Sequence, residues 1–186
     1  MDEEIRNALA AIESGGIILY PTDTVWGIGC DATNPKAVEK IYKLKKRSDS
    51  KSMICLVNDY RMLNKHIEHV PPVAYEILKF AAKPTTIIYD RPLQVAENII
   101  AGDNSLAVRV VKNDFCQKLI SCFGNPLVST SANISGEKTP ESFEEIVPEI
   151  LEGVDYVVNL HRDKKSIKPS TIIRLKNNGQ MKVLRK

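Results

Sequence analysis

One continuous segment, residues 17–57, contains the pattern of a strand, a polar loop, a helix, a basic loop and a second strand. The apolar run at residues 17–20 is typical of a buried strand. Asn34 and Pro35 are suited to the N-cap and the first position of a helix. Residues 53–57 predict the next strand. Because strand, helix and strand follow each other within one segment, this part of the chain predicts an α/β domain.

Two loops in this segment contain most of its polar groups. The first follows Pro21, and its hydroxyl, carboxylate and glycine residues are Thr22, Asp23, Thr24, Gly27 and Gly29. The second follows the helix, and residues 43–51 include five basic residues and one acidic residue, a net charge of +4. Such loops suit a small, negatively charged substrate. The alternative is that the lysines only complement the helix dipole and stay in solvent.

The composition is that of an ordinary globular protein, with 43% apolar and 26% charged residues. A length of 186 residues predicts a single domain, residues 1–186, with its own core. The net charge of +3 is too small to indicate nucleic-acid binding by itself. No apolar run reaches the roughly 20 residues that span a bilayer, and the acidic N-terminal segment is unlike a signal peptide. We therefore expect a cytoplasmic protein without membrane contact.

Helix and strand signals continue to alternate along the rest of the chain. Further helices are predicted at residues 5–12, 58–65, 72–82, 93–100, 114–123 and, in two short pieces, 141–152. Further strands are predicted at residues 85–89, 106–111, 126–129, 154–158, 170–175 and 181–185. Asn177-Asn178-Gly179 predicts a hairpin turn between the last two strands. Because this hairpin interrupts a strict βαβ order, we expect an open, twisted, mixed sheet with flanking helices.

Three features outside the basic loop are candidates for binding. Arg109 interrupts the apolar strand LAVRVV, and we expect it to lie in a cleft and contact a carboxylate, with an exposed edge-strand position as the alternative. Residues 129–136 are rich in Ser, Thr and Asn, which could bind phosphate oxygens or a base edge, or only cap the next helix. Trp26 could line a ligand pocket or fill the core.

Metal and nucleophile motifs are missing from the sequence. The cysteines are Cys30, Cys55, Cys116 and Cys122, without C-x-x-C spacing, so we expect reduced thiols and neither disulfides nor a zinc site. His66 and His69 are spaced like two metal ligands on a helix, but a capping or surface position is the interpretation we favour. The glycine-rich phosphate loops, H-E-x-x-H and G-x-S-x-G are absent. The remaining residues favour catalysis by positioning and charge neutralisation.

Four motifs together resemble those of the YrdC-like threonylcarbamoyl-AMP synthase family. They are YPTDTVWGIGCDA, the K-x-R…K pattern of Lys45, Arg47 and Lys51, the strand AVRV, and PLVSTSANISG. The matching segments follow the family's order from about residue 12 to residue 185. The resemblance implies an open α/β sheet with a basic concave face, and the conversion of L-threonine, bicarbonate and ATP into threonylcarbamoyl-AMP and pyrophosphate. This product serves to form N6-threonylcarbamoyladenosine at position 37 of tRNA.

The resemblance also implies roles for individual residues. Threonine would be bound by Thr24, Arg109, Ser129 and Ser170, with Arg109 on its carboxylate. The nucleotide would be bound by Lys45, Arg47, Lys51, Thr86, Ser131, Asn133 and Arg185. No side chain would act as a covalent catalyst, no residue would form a metal site, and Mg²⁺ is expected to accompany ATP.

Departures from the family motifs keep two alternatives open. Trp26 replaces a tyrosine, Ser52 replaces a proline, and Ala82-Lys83 replaces Pro-Gly. A paralogue that acts on another small acid would be compatible with these changes. A non-catalytic module that binds double-stranded RNA or tRNA is the other alternative. For the enzyme, tRNA and the tRNA threonylcarbamoyl transferase machinery are further expected partners.

Overall fold

The computed structural model describes residues 1–46, 53–165 and 169–186. The helices within these ranges are α1 (Asp2–Glu13), α2 (Pro35–Leu44), α3 (Tyr60–His66), α4 (Pro72–Phe80), α5 (Asp114–Phe123) and α6 (Pro148–Gly153). Single 3-10 turns lie at Glu97–Ile99 and Phe143–Glu145. The strands are β1 (Ile18–Pro21), β2 (Trp26–Gly29), β3 (Ile54–Val57), β4 (Thr85–Asp90), β5 (Ser105–Val110), β6 (Leu127–Ser131), β7 (Tyr156–Val157), β8 (Thr171–Leu175) and β9 (Met181–Arg185).

The described strands form one open sheet in the order β7-β1-β2-β6-β3-β5-β4-β8-β9. The pairs β1–β7, β3–β5 and β4–β8 are parallel, and the other neighbours are antiparallel. The predicted α/β fold with an open mixed sheet and flanking helices is therefore confirmed. No helix in the described ranges has both the length and the apolar character needed to cross a membrane.

Helices cover the two faces of the sheet unequally. The larger core packs α2, α4 and the first 3-10 turn against one face. The smaller core packs α1 and α5 against the opposite face, which we call the α1/α5 face. Leu56 of β3 belongs to this smaller core. Side chains two residues apart on a strand share a face, so Ile54 also lies on the α1/α5 face, and its register partners Ser129 and Ala107 lie there with it.

Local signals place the helix that precedes the basic loop. Asn34 caps α2, because its side-chain oxygen accepts hydrogen bonds from the backbone N–H groups of Lys36 (3.0 Å) and Ala37 (3.2 Å). Pro35 occupies the first turn. The apolar residues that the helical spacing predicted, including Val38 and Ile41, are buried. The sequence signals for this helix are confirmed.

The predicted loop containing Gly27 and Gly29 is wrong in part. Both glycines lie in β2, which pairs with β1 as a hairpin. Because Pro21 already pairs with Trp26, only residues 22–25 remain as a turn. A Cβ atom on Gly29 would lie 2.3 Å from the carbonyl oxygen of Val128 and 2.7 Å from the ring of Tyr20. Glycine is therefore required here by the close approach of β6 and β1.

Three other predicted boundaries also differ from the structure. The strand predicted at residues 126–129 continues to Ser131, because it pairs with β2 as well as β3. The strand predicted at residues 154–158 is reduced to Tyr156–Val157, which pairs with β1 at one edge of the sheet of described strands. The helix predicted at residues 93–100 is a single 3-10 turn, Glu97–Ile99.

Candidate functional site

A cavity of about 320 Å³ lies where the α1/α5 face is not covered by helices. Its walls come from the turn between β1 and β2, from β2 to β6, from β8 and β9, and from residues just before β8. Six of the eleven predicted site residues line it: Thr24, Arg109, Ser129, Ser131, Ser170 and Arg185. Its size falls within the range of small-molecule sites, which is roughly 300–1,000 Å³.

Arg109 is the most buried charged residue of this pocket, with 3% of its surface exposed. Its Nη2 atom lies 3.1 Å from Oδ1 of Asp23, and its Nη1 atom donates a hydrogen bond to Oγ1 of Thr24 (3.3 Å). The prediction that Arg109 lies in a cleft and contacts a carboxylate is confirmed. Sequence reasoning did not identify Asp23 as that carboxylate, although it lies next to Thr24 in the same motif.

The hydroxyl groups of the turn orient Thr24. Oγ1 of Thr22 donates to the carbonyl of Val25 (2.7 Å) and accepts from the backbone N–H of Thr24 (3.1 Å). The two threonine hydroxyls are 3.0 Å apart. Because the only hydroxyl proton of Thr22 goes to Val25, the Thr24 hydroxyl donates to Thr22. Oγ1 of Thr24 therefore acts as an acceptor toward Arg109 and toward a ligand.

Ser170 is held from two sides at the opposite wall. Its hydroxyl lies 2.9 Å from Oγ1 of Thr86, which is fully buried and does not line the pocket. Arg185 donates from Nε to the Ser170 carbonyl (2.9 Å) and from Nη2 to the Ser170 hydroxyl (3.3 Å). Burial, and then repulsion by Arg109, lower the pKa of Arg185. Two guanidinium groups that repel each other across one pocket favour an anionic ligand.

Lys45 is buried beneath the segment that follows β6. Its Nζ atom donates to the backbone carbonyls of Ser131 and Asn133, the latter at 2.5 Å, and its own carbonyl accepts from the N–H of Ser135 (2.9 Å). The Asn133 amide donates to the carbonyls of Ile134 and Glu137 (both 2.9 Å). Lys45 and Asn133 support the pocket wall in this structure, and their binding to the nucleotide remains a prediction.

The rest of the basic loop is divided between surface pairs and an undescribed part. Lys43 pairs with Glu39 (2.7 Å) and Lys46 with Glu149 (2.9 Å), and all four side chains are exposed. The predicted residues Arg47 and Lys51 lie outside the described residues. Their assignment to the nucleotide therefore also remains a prediction.

Two residues that the sequence left ambiguous belong to the core. Trp26 is buried, and its ring centroid is 4.9 Å from that of Phe143. The surface or capping position favoured for His66 is wrong, because this side chain is buried and its Nδ1 atom lies 3.1 Å from the carbonyl of Leu93. Burial lowers the pKa of His66 and favours its neutral form. In the described ranges, no cluster of three or more His, Cys, Asp or Glu is arranged to hold a metal ion.

The pocket offers binding groups rather than a nucleophile with its base. No histidine, aspartate or glutamate lines the part of the pocket formed by described residues. The thiols of Cys30, Cys55 and Cys116 are buried, and burial raises the pKa of Cys55 to about 12. A hydroxyl or thiol in this setting stays protonated at neutral pH. The arrangement can bind anions, orient a polar substrate and neutralise charge as it develops.

Comparison with known proteins covers nearly the whole chain. The model of the Sua5, YciO and YrdC proteins, described as "Telomere recombination", matches residues 10–186. The threonylcarbamoyl-AMP synthase of Pseudoalteromonas translucida is 34% identical over 160 residues, which cover 83% of this chain and 84% of that protein. The threonylcarbamoyl-AMP synthase of Vibrio campbellii is 33% identical over 147 residues, covering 77% of this chain and 80% of that protein.

A solved structure with the same fold contains an amino acid. P. abyssi Sua5 complexed with L-threonine superposes with a TM-score of 0.83 and 25% identity, over 94% of this chain and 52% of that one. This chain therefore spans about half the length of that Sua5 protein.

Proposed function

The chain belongs to the Sua5/YciO/YrdC family, and we propose on this basis that it is a threonylcarbamoyl-AMP synthase. In the proposed reaction, L-threonine, bicarbonate and ATP give threonylcarbamoyl-AMP and pyrophosphate. The product would serve to form N6-threonylcarbamoyladenosine at position 37 of tRNA. The names of two curated relatives and the L-threonine in a solved relative support this activity.

The observation that carries the proposal is the buried Arg109 among the pocket hydroxyls. One terminal nitrogen of its guanidinium contacts Asp23 and the other donates to Thr24, while Nε has no hydrogen-bond partner among the described residues. An arginine with donors to spare is suited to bind a carboxylate in a bidentate manner. We assign the carboxylate of the threonine substrate to Arg109. The amine and hydroxyl groups of the substrate are assigned to Thr24, Ser129 and Ser170.

We assign the nucleotide to the walls around Ser131 and Arg185. Lys45 and Asn133 both donate to the Ser131 carbonyl, and Thr86 contacts the Ser170 hydroxyl, but these three residues do not line the pocket themselves. Arg47 and Lys51 are proposed as further ligands of the triphosphate. The lining of the described pocket contains no carboxylate, so Mg²⁺ would enter as part of MgATP, held by phosphate oxygens and water.

The substrate itself would supply the nucleophile. The threonine amine first adds to bicarbonate and loses water, which gives a carbamate. A carbamate oxygen then forms a bond to the α-phosphorus, the bond from that phosphorus to the bridging oxygen breaks, and pyrophosphate leaves with the electron pair. The protein would align the carbamate through Arg109 and Thr24, and the cationic groups would neutralise the phosphates.

We expect the reaction in the cytoplasm, where tRNA is available as the further partner. All four cysteines are free thiols, which suits a reducing compartment. Delivery of threonylcarbamoyl-AMP to the tRNA threonylcarbamoyl transferase machinery completes the proposal.

Pyrophosphate release tests this function. We expect release only when ATP, bicarbonate and L-threonine are present together, and the adenylate should be detected by mass spectrometry. L-Serine, which lacks the methyl group, should react about 10–200-fold less efficiently. The Arg109→Ala variant should lose threonine binding in calorimetry while it keeps ATP binding. Pyrophosphate release at an unchanged rate without threonine would contradict the proposal.

The RNA-binding alternative predicts different results in the same assays. A non-catalytic module would release no pyrophosphate under any combination of substrates. It would bind double-stranded RNA or tRNA with an affinity that falls steeply as the salt concentration rises. A salt titration with labelled tRNA therefore separates the two functions.

A further inference from the structure

Asp23 contacts the central arginine of the pocket without lining the pocket. Its side chain is 13% exposed, that of Arg109 is 4% exposed, and their closest oxygen and nitrogen atoms are 3.1 Å apart. Oδ2 of Asp23 also accepts from the backbone N–H of Lys112, at 3.5 Å. Asp23 therefore connects the turn between β1 and β2 to the end of β5, which carries Arg109.

A second cavity shows from which side Asp23 reaches the guanidinium. This cavity, of about 40 Å³, is lined by Asp23 together with Tyr60, Lys83 and Lys112, whereas Arg109 lines the main pocket. The carboxylate thus contacts Arg109 from behind, and the pocket side of the guanidinium remains available to a ligand. An arginine side chain can adopt many rotamers, and the contact with Asp23, in addition to that with Thr24, restricts them.

We propose that Asp23 is a positioning residue that holds Arg109 in the orientation required to bind a substrate carboxylate. This inference rests on the proposed function, because it concerns the same amino-acid site. Asp23 acts through Arg109 and through its neighbour Thr24, which accepts a hydrogen bond from the same guanidinium. Two consecutive residues of one turn therefore fix both terminal nitrogens of Arg109.

A competing role for Asp23 makes the opposite prediction. If its carboxylate occupied the place of the ligand carboxylate, it would have to be displaced, and its removal would strengthen amino-acid binding. If Asp23 is a positioning residue, its removal instead weakens binding, and it does so only for ligands that carry a carboxylate. The carboxylate dependence of the loss is therefore the quantity to measure.

The test compares L-threonine with L-threoninol, in which a CH₂OH group replaces the carboxylate. Calorimetry gives the ratio of the two affinities for the wild type, Asp23→Ala and Asp23→Asn. We expect the preference for threonine to fall at least tenfold in Asp23→Ala and less in Asp23→Asn, which keeps the size of the side chain and an oxygen atom that can lie against Nη2 but loses the charge. ATP affinity should change by less than about threefold. An undiminished preference in Asp23→Ala, or tighter threonine binding by Asp23→Asn, would overturn the inference.

A matched variant controls for the loss of a partly buried ion pair. Asp90 contacts Arg174 (2.5 Å between Oδ1 and Nη2) near the other end of the sheet and does not line the pocket. Asp90→Ala should leave the preference for threonine unchanged, and a fall equal to that of Asp23→Ala would overturn the inference. If Asp23→Ala does not fold, a fall of at least threefold in Asp23→Asn is the expected result, and no fall overturns the inference.

The wild type separates this inference from the proposed function. A wild type that binds threonine no better than threoninol would overturn the proposed role of Arg109, and the role of Asp23 with it. A clear preference that Arg109→Ala abolishes and Asp23→Ala retains would overturn the role of Asp23 alone.

Discussion

Lys45 is a buried charged residue, with 1% of its surface exposed to solvent. Its ammonium group donates to the backbone carbonyls of Ser131 and Asn133, which lie 86 and 88 residues further along the chain. A buried charge is costly unless acceptors surround it, and buried carbonyls are costly without a donor. The contacts therefore join the end of α2 to the segment that carries the proposed nucleotide ligands.

The Lys45→Met variant should destabilise the fold. It removes the ammonium group at the end of the side chain and leaves two partly buried carbonyls without their donor, and we expect a loss of about 1–3 kcal/mol in the free energy of unfolding. Urea denaturation measures this loss. Lys43→Met is the matched control, because Lys43 lies in the last turn of the same helix with an exposed partner, and it should change stability by less than about 0.5 kcal/mol. Equal losses in both variants would contradict a structural role of Lys45.

Sequence reasoning at this scale succeeded where one residue is unusual in its own strand. Arg109 lies within the apolar strand LAVRVV, so it was expected to contact a carboxylate, and the structure confirms such a contact. The identity of Asp23 depends on the approach of a turn 86 residues away, which no local pattern encodes. The acceptors of Lys45 are backbone carbonyls, and their orientation is fixed only when β6 and its following segment are folded.

Strand β2 is the element that the sequence described least well. Two glycines in four residues predicted a loop, because glycine is depleted in strands. In the structure, the Gly29 position faces the Val128 carbonyl on one side and the Tyr20 ring on the other. Glycine is present because strands on both sides of β2 come close, which is a tertiary requirement. By contrast, α2 was predicted correctly because its cap and its apolar spacing are local.

The Gly29→Ala variant should be strongly destabilised for this reason. The new Cβ would lie 2.3 Å from a backbone oxygen, so the strands themselves would have to move apart. We expect a loss of at least about 2 kcal/mol, at the upper part of the range for overpacked cores. Gly102→Ala is the control, since a Cβ there meets nothing within 4 Å. Thermal unfolding of both variants gives the comparison, and a Gly29→Ala protein as stable as Gly102→Ala would contradict the contact.

Across the whole molecule, the pocket is assembled from residues that are far apart in the sequence. Thr24 lies in the first turn of the sheet and Arg185 in the last strand, and both line the same cavity. Alternation of helices and strands predicted the fold class, but it does not specify the strand order, because neighbours in this sheet such as β2 and β6 are about 100 residues apart. The family motifs predicted eleven site residues without that knowledge, and six of them line the cavity.

Because strands from most of the sheet contribute to the pocket, ligands should stabilise the molecule as a whole. A ligand that binds only the folded state, and is present at a concentration 100 times its dissociation constant, adds about 2.7 kcal/mol to the free energy of unfolding. For a domain of this length, that energy corresponds to a rise in Tm of roughly 5–11 °C. We expect rises of this size with L-threonine and with MgATP, measured separately by thermal shift. Arg109→Ala should lose the rise with threonine and keep the rise with MgATP, because the two ligands are assigned to different walls. Loss of both rises in this variant would show that one arginine serves both ligands, and would contradict the division of the pocket proposed here.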